Sequence, residues 1–490
     1  MTILLTGRRA GEARTIEARC GREKKEKYTL AEQSAEHKRA AHYAHFCSLM
    51  PELIARLSWS RAQIDAYQTG VLRDLLRHVQ AHSPWHARRV AHLDASTATM
   101  DDILRIPTMT KSDLMENWDE IVTVPGATRR GAEEALRSMK DQFYIWGDNV
   151  LFASGGTGGQ PGLFLYDWTG LALNWGGMSR SISKYLSTLA IRETGKPQQL
   201  RTAAVGAEMS AHGSFVVGRI LSNPANPTQM LSGWRSIDEV IPKLNAIQPQ
   251  LLSCYPNLIP ALAAAAQAGE LRIEPQVIVC GGEHFPETSR ELARQTWPQT
   301  DILSCWGTSE GGGTFPCPCG DGFHVSEDQV IIEPVDSAGA PVAPGQRSSG
   351  IYFTNLYNKA LPTIRYYIDD VFEMDDGPCA CGSAFRKVRQ VHGRNFERFR
   401  YGAITVHPVT LQLAVLEQPH ILEYQIRQTQ RGAHLAYRSK GEVDAARLSS
   451  RMREALQSYG LSEPEITIEN VALLERTAAG KLKRFVPLTQ

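Results

Sequence analysis

The stretch Phe152–Gly162, FASGGTGGQPG, sets Gly155, Gly156, Gly158, Gly159 and Gly162 around Ser154 and Thr157. Glycines let a backbone approach an anion and turn where a Cβ would clash, while hydroxyl and N–H groups donate hydrogen bonds to phosphate oxygens. The loop therefore reads as a phosphate cradle. It lacks the Gly-Lys-Ser/Thr ending of a Walker-type site, and a Gly/Ser surface loop has the same composition. The reading thus depends on partner residues elsewhere in the chain.

Three downstream segments place polar groups where strands should end. Val277–Pro286, VIVCGGEHFP, is an apolar strand running into Gly281, Gly282 and Glu283, which frees backbone groups for a flat ligand. In Ile302–Gly313, ILSCWGTSEGGG, a buried strand gives way to Trp306, Gly307, Thr308, Ser309 and Glu310. A carboxylate there can hold Mg²⁺ beside phosphates, because hard cations prefer oxygen ligands; the plain alternative for Glu310 is a helix N-terminal acid. Ile351–Asp370, IYFTNLYNKALPTIRYYIDD, reads as a strand, a turn through Pro362, then Arg365 and Asp370. An aspartate there can accept both hydroxyls of a ribose diol. Arg365 reads equally well as one half of a loop salt bridge.

At 490 residues the chain exceeds a single core. Lys+Arg 53 against Asp+Glu 52 leaves a net charge of +1, so nothing in bulk charge draws nucleic acid or an anionic membrane. No apolar run reaches the ~20 residues of a membrane span and the start ILL is too short for a signal peptide, so a cytoplasmic protein is expected. Residues 1–50 are charged, with REKKEK at Arg22–Lys27, and predict a solvated helix or disordered extension without function. From Leu53 to Arg89, Ile64, Tyr67, Val71, Leu75 and Val79 recur at helical spacing and predict amphipathic scaffold helices. His78, His82 and His86 are expected at the surface or core edge. Helical stretches then alternate with β-rich runs such as Val277–Cys280, Ile302–Cys305 and Val330–Ile332, which predicts an α/β chain with mostly parallel strands.

Nine cysteines are too sparse for a disulfide scaffold. FPCPCGDGFH and PCACG nevertheless bring two Cys-x-Cys pairs and a histidine into two segments, with Cys317, Cys319, His324, Cys379 and Cys381 as candidates. Thiolate and imidazole suit tetrahedral Zn²⁺, and a closed four-ligand site is structural. The expected set is Cys319, His324, Cys379 and Cys381, leaving Cys317 spare; buried, metal-free thiols are the alternative. Cys20, Cys47, Cys254, Cys280 and Cys305 stand singly and read as ordinary thiols.

In this order, from about Tyr144 to Val486, the motifs resemble the adenylate-forming superfamily and within it the phenylacetate-CoA ligase branch. The resemblance implies an α/β fold with a large multi-layer adenylation domain, 51–392, that includes a distorted β-barrel-like region near 330–370. It also implies a small mobile α+β lid domain, 393–490. It implies that Ser154, Gly155, Gly156, Thr157, Gly158 and Gly159 close over the triphosphate of ATP, and that Gly281, Gly282 and Glu283 line the adenine and acyl pocket. Trp306, Gly307, Thr308 and Ser309 follow, with Glu310 on magnesium, Asp370 on the ribose, Arg394 (in HGRNFERF) beside it, and Lys481 (in ERTAAGKLKRF) bridging the acyl carboxylate and the adenylate. The implied reaction is ATP-dependent adenylation of a carboxylic acid, pyrophosphate release and transfer to coenzyme A; catalysis there is positioning and electrostatic stabilisation. Lys481, Glu310 and Ser309 are the implied catalytic residues.

Tyr144, Tyr255, His284 and Phe285, with Trp306, read as an aromatic-walled slot for an aryl acid, or equally as core aromatics. His212 and the strip Trp175, Gly176, Gly177 are further candidates for its wall. The chain departs from the family pattern at Gln160, where a lysine is usual, at Asn395, Phe396 and Glu397, where a hinge aspartate is usual, and at Tyr366 and Tyr367, where an arginine is common. Two alternatives stay open: a carrier-protein thiol or an amine as acceptor, and a nucleotide-binding protein without ligase turnover. The branch often forms homodimers, on which the sequence is silent.

Overall fold

In the computed structural model the described residues are 35–138, 143–154, 162–194, 200–206, 212–233, 237–283, 285–319, 322–394, 399–406, 408, 411, 414–415, 418, 420–476 and 482–488. Residues 155–161, 284, 395–398 and 477–481, on which several sequence expectations fall, lie outside them.

A helix over 35–55, α1, crosses the expected boundary at residue 50. His42, Phe46, Met50 and Leu53 form a buried stripe at helical spacing, and the last three join the largest apolar core. Helix α2 (Arg61–His82) buries Ile64, Leu72, Leu75, Leu76 and Val79. Its start is set by a capping box, Ser60 with Gln63. His86 departs from expectation. It is wholly buried, bonded through Nε2 to the Pro362 carbonyl at 3.0 Å and through Nδ1 to Arg89 at 2.8 Å.

The strands β1 (Tyr144–Ile145), β2 (Asn149–Ala153) and β3 (Leu163–Tyr166) form an antiparallel sheet, and helix α3 (Trp168–Thr194) follows. A five-stranded parallel sheet comes next: β4 (Thr202–Gly206), β5 (Gln229–Ser232), β6 (Leu251–Cys254), β7 (Val277–Cys280) and β8 (Asp301–Ser304), in spatial order β5-β4-β6-β7-β8. The helices α4 (Gly213–Ile220), α5 (Ile237–Ile247), α6 (Ile259–Gln267) and α7 (Glu287–Thr296) occupy its four crossovers. Apolar runs such as VIVC suit strands covered on both faces. Ala203, Leu252, Ile278 and Ile302 share a second core with Val240, Leu244, Leu262 and Ala293 of the helices.

Beyond this sheet the chain turns to short antiparallel pieces. The hairpin β9 (Gly307–Thr308) and β10 (Gly311–Gly312) leads to β11 (Thr314–Pro316), β12 (Phe323–Val325), β13 (Val330–Val335), β14 (Gly350–Asn355), β15 (Tyr366–Ile368), β16 (Asp370–Met374) and β17 (Lys387–Arg394). They pair as two sheets, β11-β12-β17-β16 and β13-β14-β15. Parallel ladders are therefore fewer than the alternation suggested, because tight turns oblige neighbouring strands to run antiparallel.

After β17 a third core begins at Phe399. The hairpin β18 (Phe399–Tyr401) and β19 (Ile404–Val406) precedes β20 (Ile421–Gln428), β21 (Gly432–Ser439), helix α8 (Ala445–Ser458), β22 (Glu465–Asn470) and β23 (Phe485–Val486). The sheet order is β22-β21-β20-β23, and Ile426 and Leu435 pack on Leu448, Met452 and Leu456 of α8. Among the described residues no helix is long and apolar enough to cross a membrane.

Candidate active site

The glycine-rich segment joins β2 to β3, which pair up to Ala153 and Leu163. Its neck is closed where Ser154 N–H donates to the Gly162 carbonyl at 2.9 Å and Gly162 N–H donates to Ser154 Oγ at 2.8 Å. A Cβ on Gly162 would lie 2.9 Å from the Phe164 ring, so glycine is required at that crossing. Residues 155–161, with Gly155, Gly156, Thr157, Gly158, Gly159 and Gln160, are outside the described residues. A lone bridge between Ala153 and His212 sets the neck beside the start of α4.

The parallel sheet supplies the next wall at its carboxyl edge. β7 ends in Gly281 and Gly282, and Gly282 has φ +81°, a conformation that favours glycine. Cys305 N–H donates to the Cys280 carbonyl at 3.4 Å, so Gly281–Gly282 and Trp306–Gly307 leave neighbouring strand ends. This is where open α/β sheets bind ligands.

The β9–β10 hairpin holds Ser309 and Glu310 at its turn and is clamped from three sides. Tyr166 Oη donates to the Ser309 carbonyl at 2.9 Å, Asn355 Nδ2 donates to the Glu310 carbonyl at 2.9 Å, and Gly312 N–H donates to Tyr357 Oη at 2.9 Å. Within the turn the Thr308 hydroxyl donates to the Glu310 carboxylate. Glu310, half-buried, presents with Thr308 and Ser309 the hard oxygen donors that magnesium prefers.

Asp370 opens β16, with 8% of its surface exposed. Trp306 Nε1 donates to its Oδ2 at 3.1 Å, and the indole packs edge-on to Phe372 with centroids 5.0 Å apart. Asp370 pairs with Arg394 in the β16–β17 register. The Arg394 backbone is thus placed beside the carboxylate, while its side chain lies outside the description. Arg365 takes the plainer role, bonded to Glu333 at 2.9 Å.

The expected aromatic slot comes together only in part. Tyr255 is buried, with its ring 3.6 Å from where a Cβ on Gly206 would sit, and Phe285 lies under the Arg290 guanidinium at 4.6 Å. Tyr144 instead belongs to the first core, its ring 6.1 Å from Trp168 and 6.3 Å from His42 of α1. Gly176 and Gly177 are also packing positions: a Cβ on Gly176 would meet Leu53 at 2.5 Å and one on Gly177 would meet Gln329 at 1.8 Å. His284 lies outside the described residues. His212 Nδ1 is 3.0 Å from Ser214 Oγ at the start of α4.

A second constellation sits at the far end of β16 and β17. One ligand atom each from Cys317, His324, Cys379 and Cys381 falls within 4.8 Å of the others. Cys319 is exposed and not among them, which corrects the expected set: Cys317, directly after β11, takes its place with 1% exposure. Cys317 Sγ and Cys379 Sγ are 3.4 Å apart, and Cys381 Sγ is 3.2 Å from His324 Nε2. His324 Nδ1 is 2.9 Å from the Phe385 carbonyl, which can only accept, so Nδ1 carries the proton and Nε2 keeps a lone pair for the cluster. Burial lowers the pKa of this imidazole, which favours the neutral form. Cys254 and Cys280 are core thiols on paired strands, 4.0 Å apart.

Lys481 lies outside the described residues, yet both ends of its segment are fixed. Arg476 and Leu482 form a bridge, Gln425 Nε2 donates to the Lys483 carbonyl at 2.8 Å, and buried Glu423 accepts from Arg438 at 2.7 Å and from Arg476.

No family model matches the chain. It is 24% identical over 418 residues to the phenylacetate-coenzyme A ligase of Thermus thermophilus, spanning 80% of this chain and 82% of that protein. The phenylacetate-coenzyme A ligases of Escherichia coli and Pseudomonas putida match at 24% over 395 residues and 22% over 443 residues, covering 80% and 89% of their lengths. Among solved structures, 2-hydroxyisobutyryl-CoA ligase in its postadenylation state superposes with a TM-score of 0.61 at 16% identity, over 89% of this chain and 91% of that one, and shares the fold. With the Gly-Gly turn, the Trp306–Glu310 hairpin and Asp370 close together beyond the carboxyl edge of the parallel sheet, the chain resembles the phenylacetate-coenzyme A ligases in sequence and shares the fold of 2-hydroxyisobutyryl-CoA ligase.

Proposed function

We propose that this protein joins a carboxylic acid, of aryl type, to coenzyme A at the expense of ATP, in the cytoplasm. The observation that carries the reading is Asp370, a nearly buried carboxylate held by Trp306 Nε1 at 3.1 Å beside the Glu310 hairpin. A carboxylate so placed suits a ribose diol, from whose two hydroxyls it can accept hydrogen bonds at once. An oxygen of the substrate carboxylate attacks the α-phosphorus of ATP, the bond to the pyrophosphate oxygen breaks, and the acyl adenylate remains. A thiol then attacks the acyl carbon and AMP leaves. Magnesium, held by Glu310, would offset the charge of the phosphates. Ser154, Ser309 and Thr308 orient phosphate oxygens together with the glycine loop, Lys481 neutralises charge at the forming bond, and Tyr255 and Phe285 wall the acyl group. A structural zinc at Cys317, His324, Cys379 and Cys381 belongs to the same reading.

The test is pyrophosphate release with ATP, magnesium and a panel of aryl and alkyl acids, each with and without coenzyme A. Release that depends on an aryl acid, with a thioester product by mass, is expected. Release without thioester would shift the acceptor to a carrier protein or an amine. ATP binding without release for any acid would overturn the ligase reading. Lys481→Ala is expected to lower adenylation at least 100-fold, since a positioned charge at a reacting centre contributes about 3 kcal/mol, and to leave the melting temperature unchanged. A variant with full rate would remove Lys481 from the site.

A further inference from the structure

We infer that the zinc held by Cys317, His324, Cys379 and Cys381 sets the position of Asp370, so that the metal site controls nucleotide affinity from the other end of the same strand pair. The inference rests on the zinc and ribose assignments above. The four ligands come from three places along the one sheet β11-β12-β17-β16. Cys317 leaves β11, His324 sits within β12, and Cys379 and Cys381 lie in the connection 375–386 between β16 and β17. Expected S···S and S···N separations in a tetrahedral site follow from bonds of about 2.3 and 2.0 Å and come to roughly 3.5–3.8 Å. The observed 3.4 Å and 3.2 Å need shifts of only a few tenths of an ångström.

The route to Asp370 runs along one strand and two ladder pairings. His324 pairs with Lys387 at the start of β17, and Arg394 at its end pairs with Asp370 at the start of β16. Lys387 and Arg394 are roughly 23 Å apart at a strand rise of about 3.3 Å per residue. The β16–β17 ladder is irregular, with register shifts between Asp370 and Phe372 and between Glu373 and Met374. Such shifts disrupt the ladder locally and bend the strand, and the 375–386 connection contains Gly377, Pro378 and Gly382. Closing that connection onto β11 and β12 through a metal fixes the register from outside. A second contact runs the same way. Phe315 stacks on His324 with centroids 5.4 Å apart, and Arg180 of α3 lies over Phe315 at 4.6 Å while gripping Asp328 with two bonds of 2.8 Å. Helix α3 also abuts the Glu310 hairpin, where a Cβ on Gly312 would meet Asn174 at 2.6 Å.

The experiment measures zinc content by elemental mass spectrometry, intact mass, and ATP–magnesium affinity by calorimetry without any acid, so that no turnover is needed. The intact chain and Cys319→Ser are expected to carry about one zinc each and Cys317→Ser much less. Cys381→His, which keeps a ligand, is expected to retain zinc and ATP affinity. Stripping the intact chain with a zinc-selective chelator in excess magnesium is expected to weaken ATP binding about tenfold and to lower the melting temperature, both restored by zinc. A metal-free chain about 2 Da lighter than the reduced mass would replace the metal with a disulfide and overturn the proposal. So would zinc loss in Cys319→Ser, or an ATP affinity unchanged within about twofold after stripping. If ATP binds and follows zinc while no acid is turned over, the ligase reading fails and the metal coupling stands.

Discussion

Trp306 performs two tasks with one ring: its Nε1 holds Asp370 and its indole makes T-shaped contacts with Phe372 and Phe353, with centroids 5.0 and 6.1 Å away. Trp306→Phe keeps most of the packing and deletes the donor. A hydrogen bond to a charged group contributes about 1.5–3 kcal/mol, so KM for ATP should rise by roughly tenfold or more while KM for the acid stays within about twofold. Initial rates with each substrate varied in turn decide this, and an unchanged ATP KM would detach Trp306 from nucleotide binding. His86 makes a different prediction. Burial, followed by the neighbouring Arg89, lowers its pKa from 6.5 to about 3. The unfolded chain takes up a proton below pH 6.5 and the folded one does not, so stability is present above 6.5 and drains away as pH falls toward 3. At pH 5 the loss from this one residue is about 2 kcal/mol. The melting temperature should therefore drop between pH 7.5 and 5 by more in the intact protein than in His86→Gln; equal drops would show that another group carries the acid sensitivity.

At the scale of the element, the ends of helices and the turns of hairpins are where local sequence is legible. Ser60 accepts from Gln63 N–H at 3.4 Å while Gln63 Oε1 accepts from Ser60 N–H at 2.9 Å, closing the first turn of α2. Ser60→Ala should lower stability by about 1 kcal/mol, read as a shifted thermal midpoint with unchanged activity. The strands VIVC and ILS, the Gly-Gly turn, Glu310 and Asp370 were legible for the same reason: strand end and polar group are neighbours in the chain. Tyr166, Asn355 and Tyr357 were not. Each clamps the Glu310 hairpin from far along the chain, 143 residues away for Tyr166, and a tyrosine or asparagine in a loop carries no mark of its distant partner. Tyr144, Gly176 and Gly177 are core-packing positions, because aromatic and small residues serve a core as readily as a pocket wall. The choice of Cys319 over Cys317 went wrong for a related reason, since residues two apart both stand near β11 and only the tertiary approach of the 375–386 connection selects Cys317. His42, Phe46 and Met50 continue the buried stripe of α1 behind a charged leader whose composition suggested a solvated helix and hid its packed face.

For the molecule as a whole, the third core makes the segment from Phe399 onward a compact unit of its own. β20 lies along α6, Leu422 touches the second core, and Lys440 Nζ meets the Glu270 carboxylate at 2.6 Å just beyond α6. Both partners of that ion pair are close to half exposed, at 47% and 46%. Exposed pairs of this kind contribute about 0.2–1 kcal/mol, enough to bias two positions of a unit up to about fivefold and too little to lock it. If this docked position is one the protein visits during turnover, Glu270→Lys should change the ratio of pyrophosphate released to thioester formed by up to about fivefold, because like charges now face each other across the contact. Adding Lys440→Glu restores opposite charges and should return the ratio to that of the unaltered chain, and both effects should fade in high salt as screening shortens the reach of surface charge. A ratio that ignores the single reversal, or a double reversal that fails to restore it, would mean that the two half-reactions do not depend on this contact and that the bias lies in Leu422 and the α6 surface instead.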